Sequence, residues 1–186
     1  MRLARRVLLA TLVGCSSLLG RVRDAVTAED AMGFELTSDA FTHGGVIPSA
    51  HTCDGEDRSP ALAWTAPPAG TKDLALIVDD PDAPMGRWVH WVVYHLSPSV
   101  RRLPEGFPHD AELPDGTRQG RTDFGRTGYG GPCPPSGTHR YRFTLYALGR
   151  ALSLGPGAAT KELEQAMRGR LLAEAALMGT YRRKGR

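Results

Sequence analysis

Four side chains in this sequence have the types and spacing to act on one ligand. Asp80 and Asp82 stand in Asp80-Pro81-Asp82-Ala83-Pro84, His90 in Trp88-Val89-His90-Trp91, and His139 in Gly137-Thr138-His139-Arg140-Tyr141. An imidazole donates hydrogen bonds to an anion and gains charge on protonation, while a carboxylate orients an imidazole or receives an ammonium group. Residues 128–132 and 134–137 are rich in glycine and proline beside His139. Such backbone can approach a ligand closely, and successive N–H groups can form an anion nest. The sequence holds no Gly-Lys-Ser/Thr phosphate loop, no G-x-S-x-G elbow and no His-x-x-x-His metal spacing. Two aspartates and two histidines are donor types that zinc accepts, but without that spacing the pattern points to recognition. No enzyme, no metal and no cofactor is expected.

The two aspartates differ in prospect. A residue before proline is pushed into extended backbone, and Pro81 and Pro84 stiffen the turn after Asp80. Asp80, at the end of an apolar run, is the candidate for a pocket wall. Asp82 reads more simply as a turn residue that binds nearby backbone N–H groups.

Strand-like runs position these residues. Candidate strands cover 32–36, 61–64, 74–79, 89–96 and 140–148, and the nearly continuous apolar run at 74–79 suits a central strand buried on both faces. A period of two places His90, Val92, Tyr94 and Leu96 on one face, and His139, Tyr141, Phe143, Leu145 and Ala147 on one face. Each histidine therefore heads an apolar face. Residues 98–138 show little periodicity and read as a long loop region. One helix is expected: Thr160 as N-cap, Glu162 and Glu164 in the first turn, Leu163, Met167, Leu171, Ala175 and Met178 at helical spacing, and Gly179 as its stop.

The chain of 186 residues suits one domain, and its 22 glycines and 14 prolines favour a β-rich fold over a helix bundle. The formal net charge of +3 is carried by the ends. Residues 1–14 hold Arg2, Arg5 and Arg6 with no acid, and the tail 181–186 adds Arg182, Arg183, Lys184 and Arg186. The body between is mildly acidic, so no basic face for nucleic acid is expected.

The first residues read as an export signal, with a positive start followed by an apolar run too short to span a bilayer. Leu12-Val13-Gly14-Cys15 resembles a bacterial lipobox, in which Cys15 is acylated. Cleavage after Ala28 is the alternative. We divide the chain into a signal at 1–14, a linker at 15–31, a domain at 32–180 and a basic tail at 181–186. The product is an exported bacterial protein, periplasmic or held to the membrane only by that N-terminal lipid. Cys53 and Cys133 then remain as either a disulfide, suited to an oxidising compartment, or two separate apolar thiols.

The motifs around Asp80 and His139, with Cys53-Asp54-Gly55-Glu56-Asp57, Ser59-Pro60 and Arg121-Thr122-Asp123-Phe124-Gly125, resemble the phosphatidylethanolamine-binding protein family, in its bacterial Raf-kinase-inhibitor-like branch. The resemblance spans roughly residues 33–180. It implies an all-β-dominated sandwich of two antiparallel sheets with Greek-key connections and a C-terminal helix. It implies a small site for phosphate-type anions lined by Asp80, Trp88, His90, Pro135, His139 and Tyr141, with Asp82 and Arg140 as structural supports. Met85-Gly86-Arg87 lacks the tyrosine that animal members carry there, which leaves Arg87 as a cation that could meet the anion. A phosphate-bearing small molecule, phosphopeptide or headgroup is the implied ligand, and a protease or kinase the alternative partner.

Overall fold

The computed structural model describes residues 33–183; the expected signal, the linker, Cys15 and residues 184–186 of the basic tail lie outside them. Eight strands form two antiparallel sheets: β1 (Leu36–Thr37), β2 (Leu62–Trp64), β3 (Asp73–Asp80), β4 (Trp88–Leu96), β5 (Arg102–Leu103), β6 (Arg118–Gln119), β7 (His139–Leu148) and β8 (Leu171–Tyr181). The small sheet runs β1-β2-β5 and the large one β6-β4-β3-β7-β8. The helix α1 (Thr160–Met167) lies on the outer side of the large sheet.

β3 is central because its side chains are apolar on both faces. Leu74, Leu76 and Val78 join Leu36, Leu62, Trp64 and Leu103 in the core between the sheets. Ala75 and Ile77 pack instead with Val92, Tyr94, Leu163 and Met167 under α1. Every residue of β3 is buried, as a strand covered on both sides requires.

Two β-bulges change the face assignment expected for β4. Val78 pairs with Trp91 but Asp79 pairs with Val89, which makes His90 an extra residue. Val92 and Tyr94 consequently lie on the helix side, while Trp91 and Val93 enter the inter-sheet core. His90 still packs edge-on against Tyr141, with ring centroids 5.2 Å apart. The uniform alternation from His90 to Leu96 is thus corrected. A second irregularity sets Leu74 opposite Leu96 and Leu76 opposite Val93, and His95 there takes φ 56°.

The expected long helix is also corrected. α1 stops at Met167, and residues 171–181 form a strand paired with β7 along its length. Gly169 at φ 68° turns the chain back, a conformation that favours glycine. Leu171, Ala175 and Met178 fit a helical period, but Ala173, Ala175, Leu177 and Tyr181 also alternate toward the core. A continuous register with β7 outweighs the helix propensity of alanine and leucine. Thr160 is the first helical residue rather than the cap, and the Ala159 N–H donates to Glu162 Oε2 at 2.8 Å. Gly179 stops nothing: it lies in β8, where a Cβ would stand 2.5 Å from Ile47.

Candidate functional site

The ends of the three central strands meet at one edge of the large sheet. Asp80 is the last residue of β3, Trp88 the first of β4 and His139 the first of β7. β3 pairs with β4 as far as Asp80 opposite Trp88 and with β7 as far as Asp79 opposite Arg142, which brings the three strand ends together. A cavity of about 380 Å³ opens there. It is lined by all six expected residues, Asp80, Trp88, His90, Pro135, His139 and Tyr141. Phe124, Met85 and Pro134 complete its wall with Ala83, Pro84 and Cys133.

The polar floor is held by hydrogen bonds that fix each ring. Asp80 is 3% exposed; its Oδ1 accepts the Asp82 N–H at 2.8 Å and its Oδ2 lies 2.7 Å from His139 Nδ1. A carboxylate with one oxygen already accepting serves as the acceptor for the ring, so His139 Nδ1 carries the hydrogen. His90 Nδ1 donates to the Gly130 carbonyl at 2.6 Å, and the Gly130 N–H donates back to the His90 carbonyl at 3.0 Å. Burial pushes the His90 imidazole below its ordinary pKa and favours the neutral ring, with the Gly130 carbonyl and the Asp80 charge acting in the opposite direction. The Tyr141 hydroxyl is buried beside the Asp80 carboxylate and the Cys133 backbone. Burial first, and the Asp80 charge second, raise its pKa and keep it protonated.

The rim is apolar. Trp88 and Phe124 meet edge to face at 5.6 Å, and Phe124 meets His90 at 5.3 Å. Phe124 belongs to the stretch Arg121 to Gly125, to which the sequence reading gave no place in the site. A single aromatic within an arginine- and glycine-rich stretch is the signal that could have found it. Met85, 93% exposed, stands at the mouth.

Asp82 and Arg140 lie outside the floor as a bidentate pair. Arg140 Nε donates to Asp82 Oδ2 at 2.9 Å, Nη2 to Oδ1 at 2.6 Å, and the Arg140 backbone N–H also reaches Oδ2 at 2.9 Å. These bonds hold the Asp82 carboxyl far below the usual carboxylate range. They also tie the turn after β3 to the first residues of β7.

One expectation fails here and part of another is narrowed. Arg87 does not line the cavity: its guanidinium donates to Asp79 and Glu164 on the helix side of the sheet. Asp79 also accepts Arg142 Nε at 2.9 Å and Nη2 at 3.0 Å, so the arginines belong to a network anchoring α1. Nor do Gly130 and Gly131 form an anion nest. Their N–H groups are taken by the His90 carbonyl and by Asp57 Oδ1, the latter at 2.6 Å. Close packing explains both glycines: a Cβ on Gly130 would stand 2.5 Å from the Phe124 ring, and one on Gly131 would stand 2.5 Å from Asp57 Oδ1.

Cys53 and Cys133 form a disulfide with Cα atoms 5.4 Å apart. It ties the cavity loop to the turn after Ser49–His51, and the Cys53 N–H donates to the Pro132 carbonyl at 3.1 Å.

Comparison with known proteins covers nearly all of the described chain. A family model described as phosphatidylethanolamine-binding protein matches residues 37–182. A UPF0098 protein of Methanothermobacter thermautotrophicus is 52% identical over 80% of this chain and 98% of its own length. LppC of Mycobacterium tuberculosis, described as a candidate lipoprotein, is 42% identical over 85% of this chain and 77% of its own. Among solved structures, a phosphatidylethanolamine-binding protein homologue from Chlamydia trachomatis superposes with a TM-score of 0.75 at 43% identity, covering 82% of this chain and 99% of that one. YbcL of E. coli, described as a new member of the mammalian family of that name, gives 0.76 at 34% identity, covering 82% and 100%.

Proposed function

Since the chain belongs to the phosphatidylethanolamine-binding protein family, we propose that it is a non-catalytic binding protein for phosphate-type anions. The ligand would be a phospholipid headgroup or a phosphorylated small molecule or peptide. One observation carries this reading: His90, His139 and Tyr141 line a single cavity whose rim is apolar. The volume of about 380 Å³ exceeds a bare phosphate and leaves room for an organic group against Trp88, Phe124 and Pro135. Among the described residues no serine, threonine or free thiol lines the cavity, since Cys133 is bonded to Cys53. The Asp80–His139 pair therefore has no aliphatic hydroxyl or thiol to activate there, and recognition remains the role that suits it.

Export fits the same reading. A disulfide persists outside a reducing cytosol, and one relative is described as a candidate lipoprotein. We assign the protein to the periplasm or the outer face of a membrane, held by its N-terminus.

Titration of the labelled protein with inorganic phosphate and phosphorylethanolamine, followed by NMR, tests the reading. The expected shifts cluster at His90, Phe124, His139 and Tyr141, and His139→Ala removes them. Shifts that persist in His139→Ala would sink it.

A further inference from the structure

β8 is the one long edge of this fold among the described residues. It stands last in the large sheet and runs for 11 residues, whereas β6 at the opposite edge has two. An unpaired edge of that length is a template for another strand, and proteins ordinarily cover or blunt it. Here the cover reaches only the C-terminal end. The Gly44 N–H donates to the Met178 carbonyl at 2.7 Å, the Ile47 N–H to the Thr180 carbonyl at 2.8 Å, and the Thr180 N–H to the Gly45 carbonyl at 2.8 Å. Alternate residues of a paired strand turn their backbone groups the same way, so Glu174 and Ala176 face this edge as Met178 and Thr180 do. Their N–H and C=O groups have no hydrogen-bond partner among the described residues.

We propose that this edge pairs with the same edge of a second copy of the chain, antiparallel about a two-fold axis at Ala175. A two-fold contact has to be self-complementary, and the register decides whether it is. About Ala175, Glu174 of each copy lies opposite Ala176 of the other. The two free N–H and two free C=O groups on each copy then close on one another completely. Moving the axis to 174 sets the two Glu174 carboxylates directly opposite each other, which repels. Moving it to 176 sets Glu174 opposite Met178 of the second copy, whose carbonyl Gly44 already occupies.

The side chains agree with that choice. Glu174 is the only charged residue between Leu171 and Tyr181, and it has no ion pair among the described residues. Of the five exposed large hydrophobic side chains, Met85 and Phe124 belong to the cavity and the other three to this edge. Leu171 and Leu172, 49% and 47% exposed, lie at one end of the open stretch; Val46, 71% exposed and bridged to Thr180, lies at the other. An antiparallel axis brings Leu171 and Leu172 of each copy to Val46 of the other. The pairing joins the two five-stranded sheets into one. Because His139 pairs with Tyr181 at the C-terminal end of β8, the two cavities come out at opposite ends of the joined sheet. The inference is therefore independent of the phosphate reading.

The test is sedimentation of the full mature chain over a range of concentration. A short edge contact is a small interface, so a dimer forming between about 10 and 500 μM is expected. Ala176→Pro removes an N–H that β7 does not use, at an edge position where proline is tolerated, and should weaken the dimer at least about tenfold. Ala176→Glu sets a second carboxylate opposite Glu174 and should weaken it about threefold or more. Ala176→Lys sets a cation there and should strengthen it by about the same factor, a gain that about 0.5 M salt removes. The opposite responses of the last two variants separate pairing at this edge from a general loss of folding. A monomer at every concentration overturns the inference. So does a dimer whose affinity follows neither charge at position 176.

Discussion

Asp80 and His139 are 59 positions apart in the chain, yet a single 2.7 Å contact between Oδ2 and Nδ1 sets which nitrogen of the imidazole faces the cavity. The carboxylate is itself fixed by the Asp82 N–H, so the turn after β3 orients a ring on β7. Asp80→Asn keeps the shape and removes the charge beside the ring. We expect phosphate binding about tenfold weaker and a mixture of His139 tautomers in the ¹⁵N spectrum. An unchanged tautomer with full affinity would remove Asp80 from this role.

The second prediction concerns acid stability. Burial lowers the folded pKa of His90 below its ordinary 6.5, so the unfolded chain binds the proton first. The stability that this group contributes is complete above about pH 6.5 and is lost as the pH falls through the lowered folded value. His90→Gln should flatten the fall in melting temperature between about pH 6.5 and 5. Parallel melting curves in His90→Gln would count against the assignment.

The Cys53–Cys133 bond closes a loop with a sequence separation of 80. Reducing it, or replacing both cysteines by serine, should cost about 2–4 kcal/mol, read as a melting temperature lower by roughly 5–15 °C. Because Cys133 lines the cavity, phosphate affinity should fall in the reduced protein under conditions where it is still folded.

Gly131→Ala tests the packing explanation of the glycine-rich loop. Its Cβ would collide with Asp57 Oδ1 and the His51 carbonyl, both at 2.5 Å, and with Thr52 Cα at 2.8 Å. We expect a loss of about 1–3 kcal/mol, and weaker phosphate binding as the neighbouring Gly130 carbonyl moves from His90. Gly155→Ala, where nothing lies within 4 Å, is the control and should change stability by less than about 0.5 kcal/mol.

Asp79 tests the outer charge network. It is 4% exposed and holds Arg87 and Arg142, with Arg87 also reaching Glu164 of α1. Asp79→Ala should destabilise by about 2–4 kcal/mol, since it removes the buried anion that two cations share. Arg87→Ala should cost less, because Arg142 still pairs with Asp79. Chemical denaturation of the two variants checks the order. Neither change should alter the chemical shifts of His139, which lies on the other side of the sheet edge.

Residue types and local spacing determined much of this protein on their own. The apolar run of β3, the proline-stiffened turn at Asp80, and the placement of His139 and Tyr141 on one strand face are local consequences of the sequence. The motifs were enough to group six cavity residues. Pairing decided the rest. Whether 171–178 is helix or strand cannot be read from a segment that satisfies both periods; the open edge of β7 resolved it. The extra residue at His90 is a property of register between two strands, invisible in either alone. Arg87 turned from the cavity because Asp79 and Glu164 lay within its reach, and the glycine N–H groups were spent on partners far away in sequence. Local spacing governs which face a side chain begins on. Only the assembled sheet decides which hydrogen-bond partners and charges it finds there, and with them which nitrogen of His90 and of His139 is already committed within the protein.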